Sequence, residues 1–214
     1  NVKTVVPMIE NQLLITSGKS AEGAMVRGIT KEDLLKKRAM AEAVKNIDMK
    51  YFEGDSVILG IRLARKMGIT EGDKITLLSP NGKVTAFGSV PRMKSYQVVG
   101  LFDSGMYEYD SNFVFMPLEA AQVYFGLKGV VTHIDVTIDD DKFLKSVKDS
   151  LEHSIGSNAY IYDWKQSNSA FFNALEVERN VMFIILTLII VVAAFNIITG
   201  LLTLVIDKSR DVAV

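Results

Sequence analysis

Val181–Ile206, VMFIILTLIIVVAAFNIITGLLTLVI, is the stretch that decides how this chain is read. Its 26 residues carry no charge. At ~1.5 Å rise per residue a helix through them is about 39 Å long, against a hydrocarbon core of roughly 30 Å, so it can span a bilayer with some tilt. The alternative is a buried core helix of a large soluble protein, but such helices seldom stay uncharged for so long or sit at the end of a 214-residue chain. Residue count therefore points to membrane attachment.

Composition separates two solvents. Apolar residues are 49% of the chain and charged residues 23%, and the charges lie entirely outside the run. The preceding sequence reads as water-soluble, long enough for one ordinary domain or two small subdomains. A net charge of −1 offers no basic face for nucleic acid. With no cysteine there is neither a disulfide framework nor a thiol metal site. The chain starts at Asn1 without a methionine or a signal-like segment, the pattern of a piece excised from something longer.

Along the soluble part, Val2–Val6 and Met8–Thr16 read as strands punctuated by Pro7, and SGKSAEG turns the chain into Ala24–Ile29 as a hairpin. Lys31–Val44 reads as a helix opened by a Thr30/Asp33 capping box. Val57–Met67 reads as a second helix, stopped by Gly68. A β-rich stretch follows: Lys74–Leu78, a hairpin turn at Ser79-Pro80-Asn81-Gly82, then Lys83–Phe87, Tyr96–Phe102 and Asn112–Met116. Pro117 opens a helix to about Phe125; Val130–Ile138 is a strand; Asp139–Asp141 caps a helix over Lys142–Glu152; Ala159–Tyr162 is a last strand. The fold class is α+β: a mixed core domain over 1–167, a helical stalk over 168–180, the membrane helix over 181–206, and a short exit over 207–214.

No glycine or proline interrupts SNSAFFNALEVERNVMFIILTL, so stalk and span read as one helix, a flexible linker at Glu176–Asn180 being the alternative. Ala193, Asn196, Thr199, Gly200 and Thr203 share one face of that helix. Small residues let backbones approach, and amide or hydroxyl groups in hydrocarbon gain from partners, so this face is a packing seam for other transmembrane helices. Lys208 and Arg210 after the run, against Arg179 alone before it, lean towards a cytoplasmic C-terminus.

Catalytic patterns are missing from the sequence. His133 and His153 lie in no metal-ligand or triad spacing, and SGKS lacks the first glycine of a phosphate loop, position 13 being Leu13. Asp139–Asp141 is a helix start before it is a cation site. The chain reads as non-enzymatic, with no metal or cofactor of its own. What stands out is apolar material in expected loops: Phe87, Val90 and Met93 within Ala86–Met93, and Met106, Tyr107 and Tyr109 within Ser104–Tyr109. These suit contact with an apolar partner or cargo, or folding back over their own domain.

VAAFNIITGLLTLVIDKSRDVAV resembles the end of the second transmembrane helix and the start of the coupling segment in LolC/LolE-type permeases of the lipoprotein-releasing ABC transporter, a MacB-like superfamily. VPMIENQLLIT, VRGI, GDSVILGIRLARKMGITEGDKITLLSP, YQVVGLFDSGMYEYDSNFVFMPLEAAQVYF and Asp163-Trp164 extend the resemblance over nearly the whole chain. It implies a permease of the bacterial inner membrane, multi-pass in full, with residues 1 to about 180 periplasmic. It also implies a second permease subunit, LolC/LolE-like or a copy of this one, and cytoplasmic LolD-like ATPase subunits that bind the ATP and magnesium. Lipoprotein cargo would pass to a LolA-like periplasmic carrier. By resemblance, Asp207, Lys208, Arg210 and Asp211 begin the coupling segment. A carrier-binding hook falls at Thr85–Ser95, with Phe87, Gly88, Val90, Pro91, Arg92 and Met93 as its contacts. The DKSRDVAV tail looks LolE-like and the hook LolC-like. A MacB-type efflux permease and a bitopic sensor with an extracellular ligand domain are the alternatives.

Overall fold

The computed structural model describes residues 2–18, 20–85, 88–156, 159–167 and 169–212, with side chains undescribed at 80–90, 167, 206–207 and 209–212. The chain forms two compact units, Asn1–Val147 and Lys148–Val214.

The first unit is built on β1 (Val2–Thr16), which continues unbroken through Pro7 where two strands were expected, and β2 (Ala21–Ile29), its hairpin partner from Thr16↔Ala21 to Ile9↔Gly28. The remaining strands are β3 (Ser56–Gly60), β4 (Lys74–Thr85), β5 (Gly88–Phe102), β6 (Phe113–Pro117) and β7 (His133–Ile138). Their order is β2-β6-β3-β5-β4-β1-β7, and the β1–β2 pairing closes the first six into a ring with β7 as a branch on the N-terminal half of β1. Closure pairs backbone groups that would otherwise line two exposed edges.

Both faces of this sheet are covered. Val57 and Leu59 of β3 pack in one cluster with Ile9, Leu13, Ile15, Tyr96 and Val98, and Ile58 in another with Val6, Leu34, Phe102 and Phe115. A strand buried on both sides shows an apolar run instead of alternation. That is why 57–60 was expected to open a helix; α3 occupies only Ile61–Met67 and ends at Gly68, whose φ of 67° needs glycine, as expected. α5 (Leu118–Phe125) lies so close on β2 that a Cβ on Gly28 would stand 2.2 Å from the Ala121 Cβ.

Other boundaries shift for local reasons. The helix expected over Lys31–Val44 is two, α1 (Lys31–Lys36) and α2 (Arg38–Ala43), broken where extended Lys37 sends its ammonium to Asp135 of β7. The turn expected at Ser79–Gly82 is not a turn: β4 continues to Thr85, which pairs with Gly88. The strand expected from Val130 begins at His133, because the Val130 N–H closes a turn on the Leu127 carbonyl at 3.3 Å. Ser104–Tyr109 is not all loop, since α4 (Tyr107–Asn112) starts within it. After Asp140 caps a single 3-10 turn, Asp141–Phe143, α6 runs Leu144–Ile155. Residues 159–163 take no regular structure where a strand was expected.

In the second unit, α7 (Trp164–Ser167) precedes α8, a single helix over Ser169–Val212. Its 44 residues reach about 66 Å. It is long and apolar enough to cross a membrane over Ser169–Val205, with none of that span buried by the rest of the chain.

The Thr30 cap holds as expected: its hydroxyl accepts from the Asp33 N–H at 3.1 Å and donates to the Asp33 carboxylate at 2.8 Å, and Lys36 reaches the same carboxylate at 2.7 Å. Burial alone would raise the Asp33 carboxyl, but the Lys36 and Thr30 hydrogen bonds outweigh it and hold it below the ordinary range. A depressed pKa contributes stability above the unfolded value, and that stability is lost as pH falls through the folded one. Asp33→Asn is therefore expected to be less stable than the parent chain at pH 7, with the gap closing below about pH 4; urea unfolding followed at both pH values measures it.

Candidate functional site

Three features remain after the core is accounted for: a β-ribbon, the 103–109 segment and a helix face. β4 and β5 pair from Lys74↔Gln97 to Ser79↔Arg92, and again over Lys83↔Val90, Val84↔Ser89 and Thr85↔Gly88. Between the two ladders β4 advances four residues (79 to 83) and β5 two (92 to 90), so two extra residues of β4 form a bulge. Pro91, which has no N–H to give, sits opposite this bulge. Insertion and proline interrupt the ladder at the same level and divide the ribbon into a base and a tip.

The base is fastened. Arg92 donates to the Tyr124 carbonyl, one of the last carbonyls of α5, and the Tyr124 hydroxyl donates to the Arg92 carbonyl at 3.0 Å. The guanidinium lies 5.9 Å from the Tyr124 ring centroid. Burial raises the Tyr124 phenol pKa, against the opposing pull of Arg92. Of the six expected hook contacts, Arg92 is thus committed within the domain, Pro91 is exposed and Met93 is 63% exposed. Gly88 and Val90 belong to the tip strand of β5, and Phe87 lies outside the described residues. Tyr124 had no signal in the sequence, since a tyrosine in an amphipathic helix reads as core.

The 103–109 segment is organised by Asp110, 1% exposed, which accepts from the Ser104 N–H at 2.8 Å and its hydroxyl at 2.7 Å. Met106 and Tyr107 stand exposed beyond it, Tyr107 at 68% with Arg62 5.1 Å from its ring. Tyr109 folds back instead. It stacks on Phe113 at 4.5 Å, and Arg27, held by Glu10 at 2.5 Å, lies 4.6 Å from the Phe113 ring.

On α8, Ala193, Asn196, Thr199, Gly200 and Thr203 are all exposed on the chain itself. The two hydroxyls need no neighbouring helix: Thr199 donates to the Phe195 carbonyl at 2.8 Å and Thr203 to the Thr199 carbonyl at 3.0 Å. Nothing lies within 4 Å of a Cβ placed on Gly200. Asn196 makes no hydrogen bond among the described residues, so the polar demand of this face rests on one amide. α8 carries Asp207, Lys208, Arg210 and Asp211 in its last turns, where only the Lys208 side chain is described, and it is exposed. Among the described residues no three His, Cys, Asp or Glu side chains gather as metal ligands.

No protein-family model matches the chain. Across 97% of its length it is 34% identical to the lipoprotein-releasing system transmembrane protein LolC of Neisseria meningitidis, and across all of it 24% identical to the LolE protein of that system in Haemophilus influenzae. It spans about half the length of these relatives, 51% of each. Among solved structures, the periplasmic region of MacB from Actinobacillus actinomycetemcomitans covers 80% of this chain with 77% of its own, at 14% identity and a TM-score of 0.44. The LolC and LolE matches bear out the resemblance read from the sequence.

Tyr124→Phe removes one half of the reciprocal Arg92 contact without changing the ring. It is expected to cost about 1 kcal/mol in a urea unfolding curve.

Proposed function

We propose, from the LolC/LolE-type sequence that runs through nearly the whole chain, that it is the periplasmic head and second transmembrane helix of a lipoprotein-releasing ABC permease in the bacterial inner membrane. The 34% match over 97% of the chain carries this reading. In it, residues 1–167 are the head, 168–180 the stalk, 181–206 the span and 207–214 the start of the coupling segment. A second permease subunit packs on the face that presents Asn196 and Gly200. Cytoplasmic LolD-like ATPase subunits hold ATP and magnesium and push on the coupling segment. The chain itself transfers no group.

Acyl chains explain why the head needs a docking surface. Each methylene brought into water costs about 0.8 kcal/mol, so a lipid-bearing protein does not leave the bilayer unaided and an apolar receiver must be at hand before release. The ribbon suits that task. Its base is tied to α5, its ladder is broken at Pro91, and Pro91 and Met93 offer apolar surface at the break to a LolA-like carrier. Met106 and Tyr107 offer further apolar surface for carrier or cargo.

Pro91→Asp and Met93→Glu are each expected to weaken binding of the LolA-like carrier to this chain by about tenfold or more, as charges buried in a docking centre do; unchanged affinity in a surface-binding titration removes the ribbon from the reading. Gly200→Leu, which fills the closest approach on the seam, is expected to lower lipoprotein release while leaving the urea unfolding of the head unchanged. Normal release from reconstituted vesicles would contradict the seam.

A further inference from the structure

The second unit contains a polar circuit that neither the ribbon nor the membrane face explains. Lys148 of α6 donates to the Asp163 Oδ2 at 3.2 Å and to the Gln166 Oε1 at 3.2 Å. Gln166 returns its backbone N–H to the Asp163 Oδ1 at 2.8 Å, and the Asp163 N–H reaches the Gln166 Oε1 at 3.3 Å. Asp163 and Gln166 thus form a reciprocal capping box at the start of α7, and Lys148 closes it from a helix 15 residues earlier.

The pair is mostly removed from water, the side chains being 22% exposed at Lys148 and 14% at Asp163. The Gln166 backbone N–H, with the Lys148 ammonium adding to it, holds the Asp163 carboxyl below its ordinary range, so it is charged at neutral pH. A surface ion pair would be weak and interchangeable; one that is mostly shielded and shares its acceptors with a helix cap has a fixed geometry. On its other side α7 meets α8 directly, because the Trp164 ring sits edge-on to Phe172 with centroids 5.4 Å apart.

α7 is therefore fastened on two sides of its start, to α6 through Lys148 and to α8 through Trp164. We propose that Lys148, Asp163 and Gln166 form a clasp that fixes the start of α8 to α6, making Lys148 a positioning residue through which movement of α8 is passed on to α6. Without Lys148 the capping box survives, so α7 keeps its start, but the tie to α6 is gone and α8 can move without displacing it. This rests on the transport reading above, since it assigns the clasp to coupling between ATP hydrolysis and release.

The test uses the full permease with its ATPase partner in lipid vesicles, a lipoprotein in the membrane and the carrier outside, reading lipoprotein released per ATP hydrolysed. Lys148→Met is expected to lower that ratio about fivefold or more at a near-normal hydrolysis rate, and Lys148→Arg, which keeps a charged donor, to restore most of it. If Lys148→Met fails to assemble, Lys148→Gln keeps a neutral donor in its place and is expected to fall between the two. A ratio within twofold of the parent for Lys148→Met, or equal losses for Met and Arg, would overturn the clasp while leaving the transport reading standing. Parent vesicles that release nothing on ATP addition would overturn the transport reading and the clasp's role with it.

Discussion

The closure of the sheet by β1 is the constraint on which the first unit depends. One strand serves three partners: β7 along Val2–Met8, β2 along Ile9–Thr16, and β4 at Leu14–Thr16. A one-residue slip against any of them would turn Ile9, Leu13 and Ile15 away from their cluster. The register is therefore fixed by all three pairings at once, and with it the position of β4, from which the ribbon grows. Pro7 is tolerated in the middle of this strand at the pairing with Ile134 of the branch strand β7, outside the ring proper.

What could be read from the residues was what short-range chemistry controls. The β1–β2 hairpin, the Thr30 cap and the glycine stop at Gly68 follow from groups within a few positions of one another. The misses came from tertiary context. Ser56–Gly60 shows no alternation because both of its faces are covered, so its period carries no strand signal. Asn81-Gly82 has turn chemistry, yet here the residues between Ser79 and Lys83 supply a bulge, and the strands pair on as far as Thr85↔Gly88. The break at Lys37, inside a good helix sequence, goes with the reach of its ammonium to a carboxylate on β7, almost a hundred residues away.

The candidate site divides in the same way. Exposed apolar residues at Pro91, Met93, Met106 and Tyr107 were legible because loops and strand edges are normally polar. The commitments of Arg92 to Tyr124 and of Tyr109 to Phe113 were not, since each depends on a partner from another element. On α8 the face was legible from spacing, but its energetics were not: Thr199 and Thr203 satisfy themselves on their own helix, which leaves Asn196 as the polar group of this face without a hydrogen bond among the described residues.

These features share one mechanical premise, that the apolar run and the stalk are a single rod. Ser169–Val212 has no proline, and its one glycine, Gly200, lies on the seam. The direct measurement is a spin-label distance between Cys introduced at Phe171 and at Leu204, in a chain that has no cysteine of its own, with the protein in lipid vesicles. A continuous helix predicts one narrow distribution near 50 Å, from 33 steps (204 − 171) of ~1.5 Å. A short or broad distribution would show a hinge between stalk and span, and would contradict transmission through α8.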